Sequence, residues 1–329
     1  MRAGIFGISG LTLTEDEKRI FSKINPVGFI LFARNCESPS QVKALNHSLR
    51  ELTDRKETLI LIDQEGGRVA RLKPAHWRAT PPAGYFARMA DHSIADAKKA
   101  VYANARLIAR ELYELGINVN CAPLADVPTP DAHDIIGDRA YGDVPHQVSI
   151  LAGKMAKGLL DGGVLPVLKH LPGHGRAKSD SHLELPVVDT PLEILRATDF
   201  VPFAALSFLP LAMTAHVLYT AIDPKLPATL SPKVITLVRE ELKCESLLMS
   251  DDISMKALNG NLADLTIQSL DAGCDVILHC NGKMEEIKTI AKVIPPMSDK
   301  ASERLQHALL QLKIPNDFDY GTAEKMVGL

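Results

Sequence analysis

"VLPVLKH", residues 164–170, sets four aliphatic side chains around one proline and then stops on Lys169 and His170. A short, nearly unbroken apolar run of this kind reads as a strand buried on both faces, the habit of parallel sheets covered by helices. A lysine and a histidine add nothing to such burial, so the run must end in a polar place. The pattern recurs in "AGIFGI" (3–8), "VGFILFA" (27–33), "TLILID" (58–63), "INVNCAP" (117–123), "PLAMTAH" (210–216), "SLLMSD" (246–251) and "DVILHC" (275–280), making eight runs in all. Amphipathic helical patterns fill the gaps and carry helix punctuation. Thr14 with Glu17 predicts a capping box, Ser38-Pro39 and Ser231-Pro232 predict N-caps followed by proline, and Gly116, Gly162 and Gly273 sit where helices should stop. Eight alternating units without a linker or composition shift predict an α/β fold, a single-domain (β/α)8 TIM-type barrel over residues 1–329. The tail from about 315 should pack on the barrel or fray from it. A doubly wound open sheet is the alternative.

Bulk composition narrows the function. The 329 residues are 46% hydrophobic and 23% charged, ordinary for a globular chain with a sizeable core. A net charge of −3 gives no reason to expect nucleic acid or an anionic membrane as partner. No run reaches the roughly 18 apolar residues of a membrane span. "MRAGIFGISG" lacks the longer apolar core of a secretory signal, which leaves the cytoplasm as the expected location. Cys36, Cys121, Cys244, Cys274 and Cys280 are odd in number and form no CxxC pair. They read as small buried hydrophobes in a reducing compartment.

A barrel presents its chemistry at the C-terminal ends of its strands. Those ends here carry Arg34, Asn35, Asp63, Asp126, Lys169, His170, His216, Asp251, Asp252, His279 and Asn281. In "IDQEGGRVARL" (62–72), Asp63 ends a buried run and Arg68 and Arg71 follow a glycine turn; the set could grip hydroxyls and a carbonyl, or fasten the loop. In "MSDDISM" (249–255), Asp251 is the first acid beyond the run, able to attack an anomeric carbon or bind a metal. Asp252 is the N-cap or structural acid. Arg139 in "IIGDRAYG" (135–142) is a candidate hydroxyl or carboxylate binder.

The longest polar stretch, "KHLPGHGRAKSDSHLELP" (169–186), holds His170, His174 and His182. A shared helical face for the first two is forbidden by Pro172, Gly173 and Gly175, and no HExxH occurs, so a metal site is not expected. Asp180 and His182 lie two residues apart, so an extended segment would project both from one side. The aspartate would then fix the imidazole tautomer, giving a proton carrier on a glycine-rich loop. Lys169 and His170 would line the floor, and His174, between glycines, reads as a loop-conformation residue.

These motifs, with "GLTLTEDEK", "GFILFARN", "GINVNCAPLADV" and "MSDDISMKAL", strongly resemble the bacterial β-N-acetylhexosaminidases of glycoside hydrolase family 3, in family order to about residue 280. Leu171 and Ile253 replace the Phe and Leu usual at those motif positions, apolar swaps that leave the chemistry intact. The resemblance implies a retaining exo-β-N-acetylglucosaminidase of peptidoglycan recycling, acting on small muropeptide sugars as a monomer, with no cofactor. It implies Asp251 as nucleophile, His182 as acid/base and Asp180 as its partner. Asp63, Arg71, Arg139, Lys169, His170 and His216 are the implied sugar-binding set. A phosphorylase of the same family, a non-catalytic sugar-binding barrel and a metal-dependent amidohydrolase are the competing expectations.

Overall fold

The computed structural model describes residues 1–328. Eight parallel strands close into a barrel: β1 (Arg2–Gly7), β2 (Pro26–Leu31), β3 (Leu59–Ile62), β4 (Val119–Asn120), β5 (Leu165–Leu171), β6 (Leu211–Thr214), β7 (Leu247–Asp252) and β8 (Val276–His279). Each strand pairs with its neighbours in sequence, and β1 pairs with β8 as well as β2. That last pairing closes the sheet and excludes the open doubly wound alternative. All eight expected runs fall on these strands.

Strand periodicity then decides what each strand offers its interior. Leu59 and Leu61, Leu165 and Val167, and Leu247 and Met249 pack inside the barrel, while Ile60, Leu168 and Leu248 pack outward under the helices. Because alternate side chains share a face, the next inward positions are Asp63, Lys169 and Asp251. Three strands thus bring an apolar column up to a charged end.

The helices begin and end for local reasons. Thr14 accepts from the Glu17 amide and the Glu17 carboxylate takes the Thr14 amide, a complete capping box for helix Glu15–Ile24. Ser38 caps Pro39–Thr53 through the Gln41 amide, and Ser231 caps Pro232–Thr236 through Val234. Gly116 and Gly273 take the left-handed conformation after their helices (φ 76° and 113°). At the third expected stop, Gly162 caps helix Pro145–Asp161 and the left-handed step falls on Gly163 (φ 78°).

The tail packs. Arg106, buried in helix Ile94–Glu114, donates to the Asn316 carbonyl at 2.8 Å and stacks over Phe318 at 4.4 Å. Arg110 pairs with Glu324 at 3.2 Å and lies over Tyr320. Among the described residues no helix is long and apolar enough to cross a membrane.

Candidate active site

At the C-terminal mouth of the barrel lies a cavity of about 410 Å³. Asp63, Arg71, Arg139, Lys169, His170, His182 and Asp251 all line it. They come from three strand ends and from loops far apart in sequence.

The floor is a charge cluster. Lys169 Nζ donates to Asp63 Oδ1 at 3.1 Å and to Glu65 Oε1 at 2.5 Å. Arg139 makes a two-pronged bond to Glu65, Nε to Oε2 at 3.0 Å and Nη2 to Oε1 at 2.9 Å. Arg71 Nη2 donates to Asp63 Oδ2 at 3.0 Å, and its guanidinium lies over the Phe32 ring. Burial opposes charge in Asp63, Glu65, Lys169 and Arg139, and ion pairing outweighs it. Lys169 and Arg139 hold Glu65 well below the usual carboxylate range, Lys169 and Arg71 do the same for Asp63, and both acids keep Lys169 protonated. These three cations and two anions stand beside the carboxylate of Asp251, with the Arg71 Nε buried and free of any partner among the described residues. Such a surface suits hydroxyl and carbonyl oxygens.

Asp251 stands at the end of the inward column of β7. Its Oδ1 accepts the Asp252 amide at 2.8 Å. Burial raises its carboxyl, but His216, His170, that amide and Lys169 more than compensate, so it stays ionised. Asp252 accepts from the amide and hydroxyl of Ser254 and from the Cys280 amide, bonds that suit the structural role expected of it.

The Asp180–His182 pair forms, though not in extended chain. The amides of Leu183 and Glu184 donate to the Asp180 carbonyl at 2.9 and 3.0 Å, so the segment is a turn. Asp180 Oδ1 accepts both the His182 amide at 2.8 Å and its Nδ1 at 2.7 Å. An aspartate that captures the amide two residues on favours a turn over a strand. Held through Nδ1, the imidazole presents Nε2 elsewhere. The His182 side chain is 62% exposed against 3% for Lys169, which separates a ring at the mouth from an ammonium at the floor.

Two expectations for histidines are corrected. His216 does not line the cavity: it is fully buried, with Nδ1 on the Thr229 hydroxyl at 2.7 Å and Nε2 on the Asp252 carbonyl at 2.9 Å. Both ring nitrogens are committed, so it props the end of β7 rather than touching a ligand. His174 is more than a loop former. It is buried against the cavity, edge-on to His170 with centroids 5.7 Å apart, and burial pushes its imidazole down to about 4.

Sequence reasoning missed Glu65 and the role of Asp126. Asp126 accepts His170 Nδ1 at 2.8 Å and the His174 amide at 2.6 Å, which orients the His170 ring. Glu65 lies two residues beyond Asp63, and that spacing was the available signal. Of the two readings offered for Arg68, a grip on hydroxyls or a loop fastener, its bonds fit the second: it engages Asp134, Asp138 and the carbonyls of residues 135 and 136, tying down the loop that carries Arg139.

A carboxylate with a free oxygen at the floor and an oriented imidazole at the mouth, around a cavity rich in hydroxyl binders, is the equipment of a glycoside hydrolase. Comparison with known proteins agrees. The profile of the glycosyl hydrolase family 3 N terminal domain matches residues 7–310. The β-hexosaminidase of Alkalilimnicola ehrlichii is 38% identical over 309 residues, covering 92% of this chain and 87% of its own. NagZ from Neisseria gonorrhoeae, solved in complex with N-trifluoroacetyl-D-glucosamine, superposes with a TM-score of 0.88 at 28% identity, covering 99% of this chain and 97% of that one. A family 3 β-N-acetylglucosaminidase from Paenibacillus sp. superposes with a TM-score of 0.85 at 32% identity, covering 94% of this chain and 60% of that longer one. The chain therefore belongs to glycosyl hydrolase family 3. Within it, the chain is an enzyme of the β-N-acetylhexosaminidase kind.

Proposed function

We propose that the protein is a retaining exo-β-N-acetylglucosaminidase that removes non-reducing terminal GlcNAc from muropeptides, with residues 1–329 working as one catalytic domain in the cytoplasm. The observation that carries the reading is the Asp180–His182 pair, Oδ1 to Nδ1 at 2.7 Å, at the mouth of the cavity that Asp251 enters from the floor. The location is in keeping with the five cysteines, all free thiols.

In the first step Asp251 attacks the anomeric carbon and forms a glycosyl-enzyme, while His182 Nε2 gives its proton to the departing oxygen. In the second, the now neutral His182 takes a proton from water, the hydroxide attacks the anomeric carbon, and Asp251 leaves as carboxylate. Asp180 accepts the Nδ1–H of His182, which leaves Nε2 free to gain and lose the mobile proton, and it stabilises the imidazolium. A histidine in this role avoids a second anion beside the nucleophile. Asp63, Arg71, Arg139, Lys169 and His170 bind the sugar hydroxyls, with Glu65 and Asp126 holding the cations and the His170 ring in place. No cofactor is needed for either step.

The test is turnover of 4-nitrophenyl β-GlcNAc by wild type, Asp251→Asn and His182→Ala. Asp251→Asn should lose at least about a thousandfold in kcat, and full activity in it would overturn the mechanism. For His182→Ala, the loss in kcat/KM should be small with this good leaving group and about a hundredfold with a natural disaccharide. Added inorganic phosphate should leave the rate unchanged, which separates hydrolysis from phosphorolysis.

A further inference from the structure

Beside the acid/base pair stands a residue that the mechanism leaves unused. Ser181 lies between Asp180 and His182 and is 3% exposed, whereas the His182 side chain is 62% exposed. Its hydroxyl is 3.2 Å from His174 Nε2, and its backbone carbonyl accepts the Ala257 amide at 3.2 Å. One bond runs to the segment that leaves β5, the other to the segment that leaves β7 with Asp251.

The bond to His174 has a direction. The His174 ring is buried and neutral at pH 7, and its Nδ1 has no partner among the described residues. A buried N–H without an acceptor costs more than a buried lone pair without a donor. The proton therefore sits on Nε2 and is donated to Ser181 Oγ. His174 is itself fixed by its own amide on Asp126 at 2.6 Å and by its contact with His170. A rigid chain of contacts thus runs from the sugar-facing His170 through Asp126 and His174 to Ser181.

We propose that His174 and Ser181 are positioning residues, a buried anchor that sets where the neighbouring His182 stands relative to the cavity. The inference rests on His182 being the acid/base and deepens that reading. An exposed ring on a glycine-rich loop has no packing of its own to hold it, so its position is inherited from the nearest fixed point. That point is Ser181, one residue away. Binding of the sugar at His170 and presentation of the proton at His182 are then parts of one frame.

The experiment measures kcat/KM with two β-GlcNAc substrates, one with a 4-nitrophenol leaving group and one with an unactivated sugar alcohol. The variants are Ser181→Ala, His174→Phe, His174→Gln, the Ser181→Ala/His174→Phe double variant and His182→Ala. Proton donation matters only for the poor leaving group. Ser181→Ala and His174→Phe should therefore each lose about tenfold on the sugar alcohol, part of the 10²–10⁴ that general acid catalysis supplies, and less than about twofold on the nitrophenyl substrate. His174→Gln, whose amide can donate to Ser181, should recover most of the loss, and the double variant should be no worse than either single one. Equal losses on both substrates, or additive losses in the double variant, would overturn the anchor in favour of a general structural role. Melting temperatures within a few degrees of wild type show that each variant is folded, and His174→Gln keeps the test open should His174→Phe not fold. If His182→Ala itself shows no dependence on leaving group, the acid/base assignment fails. If it does and Ser181→Ala does not, only the anchor fails.

Discussion

Replacing Glu65 by glutamine removes one negative charge from beneath the candidate sugar site and leaves the shape almost unchanged. Glu65 accepts two bonds from Arg139 and one from Lys169, and the three side chains are between 3% and 10% exposed. After the change Arg139 loses its carboxylate partner, and Lys169 keeps only Asp63, which already serves Arg71. Stranding a buried cation by removing its partner costs on the order of 3–5 kcal/mol, and the isosteric amide, which can still accept one bond, places the loss near 3 kcal/mol. For a chain of this size, about 2 °C of melting temperature per kcal/mol makes that a drop of roughly 6 °C at pH 7. The loss should depend on pH. The folded carboxyl sits far below its ordinary 4.5, so acid protonates the unfolded chain first and favours it. The contribution of Glu65 is fully present above that ordinary value and fades as pH falls below it. Thermal melts followed by circular dichroism at pH 7, 5 and 4 should therefore show the gap between wild type and Glu65→Gln at its widest at pH 7 and narrowing at pH 4. The KM for 4-nitrophenyl β-GlcNAc should rise about tenfold, equivalent to 1.4 kcal/mol of lost binding, as Arg139 and Lys169 lose their fixed directions. A variant that melts within about 1 °C of wild type at pH 7, with unchanged KM, would refute the argument that Glu65 holds this floor together.

Asp126→Asn turns an amide toward the His170 ring and the His174 amide, and should raise KM about tenfold in the same assay, by loss of a charge-assisted bond of roughly 1.5–3 kcal/mol. His216→Ala should behave differently, because the ring props the end of β7 without lining the cavity. Melts should show about 2 kcal/mol of lost stability from the two lost hydrogen bonds and the buried space left behind, since Thr229 and the Asp252 carbonyl keep their bonds to Ala215 and Met255, while KM moves less than about twofold. Arg106→Ala should loosen the tail, so that limited proteolysis cuts near residue 315 well before the barrel, whereas wild type resists at both places.

The fold was legible because its signals are local. Eight apolar runs, their caps and their stops can each be read within a window of a few residues, and the strand period alone aims Asp63, Lys169 and Asp251 at one interior. Most of the cavity residues were legible for the same reason, standing at strand ends or inside long motifs. What one dimension could not carry was partnership. Glu65 meets Lys169 and Arg139 across more than 70 residues of sequence, and Asp126 meets His170 across 44. The pairing of such charges is decided by barrel closure, not by spacing. The same limit explains the two histidines, His216 and His174, whose roles the sequence misplaced. His216 has both nitrogens engaged by residues 13 and 36 positions away, which removes it from the cavity. His174 is buried by the walls that close around it, and the turn that seats His182 is shaped by an aspartate's local bond. The chain's own order determined which residues could do chemistry and on which face each strand would offer them. Only the closed barrel decided which of them meet, because burial and the loss of water around a charge exist only once distant segments have come together.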